Sequence, residues 1–172
     1  MVPTLTFMKQ SFRRFTQEYF QGSLPTPGFK ISRSAKSLGY FRWIGNTLSD
    51  GTIEYTYFIA CSKYYDRPVE EVENTMLHEM CHLWVFINYP NTNEPPHGPI
   101  WRSIANRITK ASNNKYIITV RSFPGYNINP QMLRSSKKAT RPPRKRRTTY
   151  KPSFRCTLLR TLFLLMLLVL FL

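Results

Sequence analysis

The stretch Asn74-Thr75-Met76-Leu77-His78-Glu79-Met80-Cys81-His82 decides how the rest of this chain is read. Its period is helical. Val69, Val72, Met76, Met80, Leu83 and Ile87 recur at steps of three and four, an apolar stripe that predicts a helix running to about Asn88. Asp66 is the expected cap, Pro68 sits in the first turn, and Glu70 and Glu71 suit the positive end of the helix dipole. Pro90 stops the helix. Residues four apart on a helix stack one turn above each other, so His78 and His82 aim their imidazoles at one point.

Such a pair is half of a metal site. Zinc takes imidazole nitrogens at about 2.0–2.1 Å and wants four ligands, one position being left to water where the ion is catalytic. Glu79 follows the first histidine and stands beside the site without filling it, the place of a general base. A third protein ligand is still needed. His97 is the first choice: it is the last of only three histidines, it lies in a loop that returns to the helix, and Gly98 and Pro99 make a rigid junction behind it. Glu94, the only carboxylate downstream, is the rival. Cys81, three residues after His78, is the remaining donor, although a small buried helix residue is its plainer reading.

Working outward, Leu5, Met8, Phe12, Phe15 and Tyr19 predict a first amphipathic helix over residues 4–21, closed by Gly22. Residues 37–44, followed by Gly45-Asn46, and residues 52–61, which follow Asp50-Gly51, read as two strands of a hairpin. In the second, Ile53, Tyr55, Tyr57 and Ile59 share a face, and Glu54, Thr56 and Phe58 share the other. Residues 89–98 are a polar, proline-rich loop. Pro99 opens a third helix with Ile100, Trp101, Ile104 and Ile108 inward, ending near Asn113-Asn114. Residues 116–120 read as a last short strand. The sum is an α+β fold, a small β-sheet packed on three helices.

Charge divides the chain. Residues 1–132 hold fourteen Lys/Arg against nine Asp/Glu, whereas residues 133–172 hold eleven Lys/Arg and no acid. The +16 surplus favours polyanions and says nothing of the fold. Cys61, Cys81 and Cys156 are too few and too scattered for a disulfide scaffold or a cysteine zinc ribbon, and a reducing compartment is expected. Lys9, Arg13 and Arg14 interrupt the one N-terminal apolar run, so no secretory leader is expected. Residues 133–156 read as a basic disordered linker. Within it Arg141, Arg144, Lys145, Arg146 and Arg147 form a patch suited to phosphates or to nuclear import. Residues 157–172 form a short hydrophobic segment. As a helix, residues 161–172 would span about 18 Å against a hydrocarbon core of about 30 Å, so a short membrane anchor and a partner-binding helix both fit.

The helical motif, followed by His97-Gly98-Pro99-Ile100-Trp101, resembles the SprT-like metalloprotease domain of Spartan-type proteases and germ-cell nuclear acidic peptidases. The resemblance covers roughly residues 5–130, including the segments 38–43, 52–61 and 118–128. It implies a compact zincin-like domain over residues 1–132, with one catalytic Zn2+ held by His78, His82 and His97 and with Glu79 as general base. It also implies cleavage of DNA-bound or DNA-crosslinked proteins in the nucleus, and a strand at residues 52–61 lying along the substrate. Many relatives carry a cysteine zinc ribbon after this domain. Here no cysteine pair follows residue 130, so DNA contact falls to the basic tail and to Arg102, Arg107, Lys110 and Lys115. Two other readings are a membrane-tethered intracellular zinc peptidase, cytoplasmic and anchored through residues 157–172, and a non-catalytic basic DNA-binding module on a zincin scaffold. An intact Glu79 argues against the last.

Overall fold

The computed structural model describes residues 1–120 and 125–133. Residues 133–156 beyond the first of them, and all of 157–172, lie outside the described residues, as do the basic patch and the hydrophobic end.

Helix α1 spans Leu5–Phe20. Thr4 caps it, its side chain accepting from the N–H of Phe7 at 3.2 Å. The helix closes where Gln21 and Gly22 both turn left-handed, at φ 54° and 72°, and the Gly22 N–H returns to the Thr16 carbonyl at 2.8 Å. Its buried face is Met8, Phe12, Phe15 and Phe20.

Strands β1 (Gly28–Ser32), β2 (Gly39–Thr47) and β3 (Ile53–Ser62) form one sheet in the order β1-β3-β2. β2 and β3 are the expected antiparallel hairpin, with Phe41 opposite Ile59 and Trp43 opposite Tyr57. β1 pairs parallel to β3 and was not foreseen. Its five residues sit just after Pro25 and Pro27, where breakers mask the alternation of Phe29 and Ile31. Gly45 and Asn46 do not turn. They continue β2, and the reversal falls at Leu48–Thr52, where Gly51 takes φ 83° and Asp50 accepts from both the N–H and the hydroxyl of Thr52.

Helix α2 spans Val69–Asn88 and α3 spans Pro99–Ala111. Asp66 does not cap α2. Pro68 occupies the cap position, and the Asp66 carboxylate instead meets the N-terminal ammonium at 2.8 Å. Residues 116–120 form no strand ladder. Tyr116 and Ile118 are buried in the core, and among the described residues no strand pairs with the segment.

The core lies where one face of the sheet meets the three helices. Met8, Phe12 and Phe15 of α1 pack with Ile59, with Met76, Leu77 and Met80 of α2, and with Trp101, Ile104 and Ile108 of α3. Burying each such side chain is worth about 1.5–3 kcal/mol. Rings meet edge to face, Phe12 on Phe29 at 5.5 Å and Phe15 on Tyr116 at 5.4 Å. One buried carboxylate ties three parts of the chain together. Glu73 of α2 takes Arg14 of α1 as an ion pair and the Tyr116 hydroxyl at 2.9 Å. The N-terminal part of α2 is thereby tied to α1 and to the segment after α3.

Candidate metal centre

α2 carries His78, Glu79 and His82, and the loop ahead of α3 carries His97. The three histidines converge. Their Nε2 atoms are 3.3 Å apart for His78 and His82, 3.1 Å for His82 and His97, and 3.0 Å for His97 and His78. Among the described residues this is the one cluster of His, Cys, Asp and Glu able to hold a metal ion, its donor atoms all within 4.8 Å of one another. An ion bound tetrahedrally at 2.0–2.1 Å sets its ligand nitrogens about 3.3–3.4 Å apart, so the triangle already has close to the size required.

Protonation fits as well. The Nδ1 of His78 donates to the Thr119 carbonyl at 3.1 Å, which leaves its Nε2 lone pair facing the other two rings. Burial, and then the neighbouring histidines, push His78 down to about 4 and His82 to about 3. His97 is lowered too, by burial and then by Arg102. Three neutral imidazoles with no thiolate among them suit a borderline-soft divalent cation. Trp101 lies under all three rings, its centroid 4.7 Å from His78, 5.5 Å from His82 and 4.7 Å from His97.

The rival donors have other work. Glu94 accepts from the N–H of Ile100 at 3.0 Å, closing the open start of α3, where no side chain caps from Gly98. The His97 loop is held by Gly98 N–H to the Pro95 carbonyl at 2.8 Å and by the Arg102 side chain to the His97 carbonyl at 2.9 Å. Cys81 points into the core, fully buried, with its thiol held well above the usual range by desolvation.

Glu79 is buried beside the triangle, and burial raises its carboxyl to about 8 against the opposing pull of the Phe41 N–H. The space it occupies exists because position 39 is glycine. A Cβ there would stand 2.9 Å from Glu79 Oε1, 2.6 Å from Thr75 Cγ2 and 2.9 Å from the Ala60 carbonyl. Gly39 escaped the sequence reading. A glycine inside a strand pattern, Leu38-Gly39-Tyr40, was the available sign of close approach.

A cleft crosses the site. One hollow of about 570 Å3 is lined by Lys36, Asn74, Thr75, Lys115 and residues 117–120, and another of about 630 Å3 by Phe41, Trp43, Phe86, Tyr89 and the prolines of the 90–96 loop. Both reach Gly39, His78 and Glu79. The strand along this cleft is β2. β3, expected there, is the middle strand with both edges paired, so it has no free edge to offer. The four cations expected to reach DNA are all exposed; Arg102 Nε also donates to the His97 carbonyl at 2.9 Å and Arg107 to the Tyr19 carbonyl at 3.2 Å.

Fold and site together define an α+β domain with a three-histidine cluster able to hold a cation, opening on a cleft, two of the histidines from one helix and one from the loop after it. Residues 8–122 match the SprT-like family, and the chain belongs to it. No curated protein sequence matches the chain.

Proposed function

We propose that the chain is a zinc-dependent metalloendopeptidase with a zincin-like centre, in which His78, His82 and His97 hold Zn2+ and Glu79 moves the proton. The observation that carries this is the triangle of Nε2 atoms at 3.0–3.3 Å with a buried carboxylate one residue along the same helix. A zinc ion held by these histidines would supply Lewis acidity, lowering the pKa of a water to about 7 and polarising the scissile carbonyl. The chain's own groups do the rest. Glu79, raised by burial in the metal-free chain, would be drawn back to its ionised form by a neighbouring cation, and would then take the proton of the attacking water and pass it to the leaving amine. The close walls at Gly39 and Thr75 hold that side chain in place. The open edge of β2 gives an extended substrate backbone a partner beside the site.

The substrates best suited to such a chain are proteins bound or crosslinked to DNA, in the nucleus. The support is chemical: a tail with eleven cations and no acid, and the patch at Arg141, Arg144, Lys145, Arg146 and Arg147. The membrane-tethered alternative rests on residues 157–172. Among the described residues no helix is long and apolar enough to cross a membrane.

Glu79→Gln tests the mechanism. Zinc-loaded Glu79→Gln is expected to keep its metal and to lose at least a hundredfold in cleavage of a basic DNA-binding protein, the scale of a lost general base. Equal cleavage by the variant and the wild type overturns the mechanism.

A further inference from the structure

The two hollows of the cleft differ in chemistry. Phe86 of α2 is ringed by four aromatic side chains from the hairpin: Phe41 at 5.9 Å, Trp43 at 5.1 Å, Tyr55 at 5.3 Å and Tyr57 at 5.8 Å. All four sit at odd positions of β2 and β3, hence on one face of the hairpin. The cluster is not sealed. Trp43 is 49% exposed and Tyr55 39%. Large apolar side chains left open in this way beside a candidate active site mark a binding surface and not a core.

Its place fixes what it meets. The Leu38 carbonyl accepts from Ser62 N–H at 2.7 Å and the Leu48 N–H donates to the Thr52 carbonyl at 2.8 Å, so the even positions of β2 bond to β3, and by the two-residue period of a strand Phe41 and Trp43 turn their N–H and C=O to the open edge. A peptide pairing with that edge next to Glu79 sets a side chain against the Trp43–Phe86 surface. The lining also says which polymer fits. The aromatic hollow includes no Lys or Arg, and its only charged members are Glu79 and Glu94. Stacked nucleobases bring phosphates, which need cations that this hollow lacks. The opposite hollow, with Lys36, Lys115, Glu70 and Glu71, is polar and mixed in charge.

We propose that the Phe41–Trp43–Phe86 basin, with Tyr89 at its rim, is a specificity subsite that receives a large apolar side chain of the substrate polypeptide, aromatic or long aliphatic, next to the scissile bond. This rests on the peptidase reading and extends it: the favoured substrate is a segment whose hydrophobic side chains are accessible, as in an unfolded or loosely folded protein. Specificity is one-sided, since the other hollow takes polar residues of either sign.

The test uses the full chain loaded with zinc and two peptide sets. Each set is identical except at one position, which carries Phe, Leu, Lys or Asp. Cleavage gives kcat/KM for the wild type and for Trp43→Ala. Binding is read separately by fluorescence anisotropy on Glu79→Gln, with and without the Trp43→Ala change. Trp43 is half exposed, so its truncation leaves the core intact; circular dichroism and zinc content check this. The expected result is a preference of about ten- to a hundredfold for Phe and Leu over Lys and Asp, the usual yield of an apolar pocket, collapsing to within about threefold in Trp43→Ala. The same ordering is expected in the binding data. Cleavage without preference, or a preference that survives Trp43→Ala, overturns the subsite and leaves the peptidase reading standing. No cleavage of any peptide, combined with tighter Phe binding lost in Trp43→Ala, overturns the peptidase reading and leaves the subsite standing.

Discussion

Gly39 carries an unusual share of the site for a residue with no side chain. Its backbone is not left-handed, so its role is space: 2.6 Å to Thr75 and 2.9 Å to Glu79 leave no room for a methyl group. Gly39→Ala is predicted to push Glu79 from its place. Displacing a catalytic group by about 1 Å costs on the order of a hundredfold in rate, while the overpacking costs about 1–3 kcal/mol. Zinc content is expected to stay at the wild-type level, because the atoms nearest that position belong to Thr75, Ala60 and Glu79 and not to a histidine. Steady-state kinetics beside metal analysis checks this; full activity in Gly39→Ala contradicts it. The three histidines and Glu79 were legible because imidazoles four apart on a helix have few other uses. Gly39 was not, since the need for a glycine is set by Thr75, Glu79 and Ala60, which only the folded chain brings to it. The same holds for Glu94, whose part at the start of α3 depends on a loop path that residue order does not encode.

Among the elements, helices read well and strands read partly. α1, α2 and α3 each carry an apolar stripe at helical spacing, and their ends fall within a few residues of the caps and prolines. Alternation finds a strand without saying where it stands in a sheet. β3 is the most apolar strand at its C-terminal half, where Ile59, Ala60 and Cys61 are fully buried, because it is central; β2 takes the edge beside the site. Residues 116–120 have strand-like composition but bury Tyr116 against α1 and turn a carbonyl to His78. The Glu73–Tyr116 bond gives this scale its own prediction. Burial, and then Glu73, push the Tyr116 phenol up to about 12, against about 10 in an unfolded chain. The folded state therefore holds its proton longer than the unfolded state. The stabilisation is complete below pH 10 and is lost as pH rises through about 12. Denaturant melts across pH 9–12 are expected to fall more steeply for the wild type than for Tyr116→Phe. Parallel slopes count against the bond.

At the scale of the whole chain, two chemistries are divided by sequence. The described residues hold the three-histidine cluster and its cleft; the tail holds eleven of the twenty-five Lys and Arg. Removing residues 134–172 is predicted to weaken binding to a DNA duplex by at least about tenfold at moderate salt and to flatten its salt dependence, each lost phosphate contact removing about 0.9 from the log–log slope. Cleavage of a short peptide is expected to stay within about twofold. Unchanged DNA affinity in the truncated chain assigns the contact to the domain, where Lys110 and Lys115 are among the exposed cations.

All of this depends on three nitrogens meeting at one ion, and zinc-edge X-ray absorption on the purified full chain reads that directly. The predicted spectrum has three imidazole nitrogens at about 2.0–2.1 Å and one further light atom, with no sulfur. A sulfur shell at about 2.3 Å, or fewer than three imidazoles around a stoichiometric ion, contradicts it.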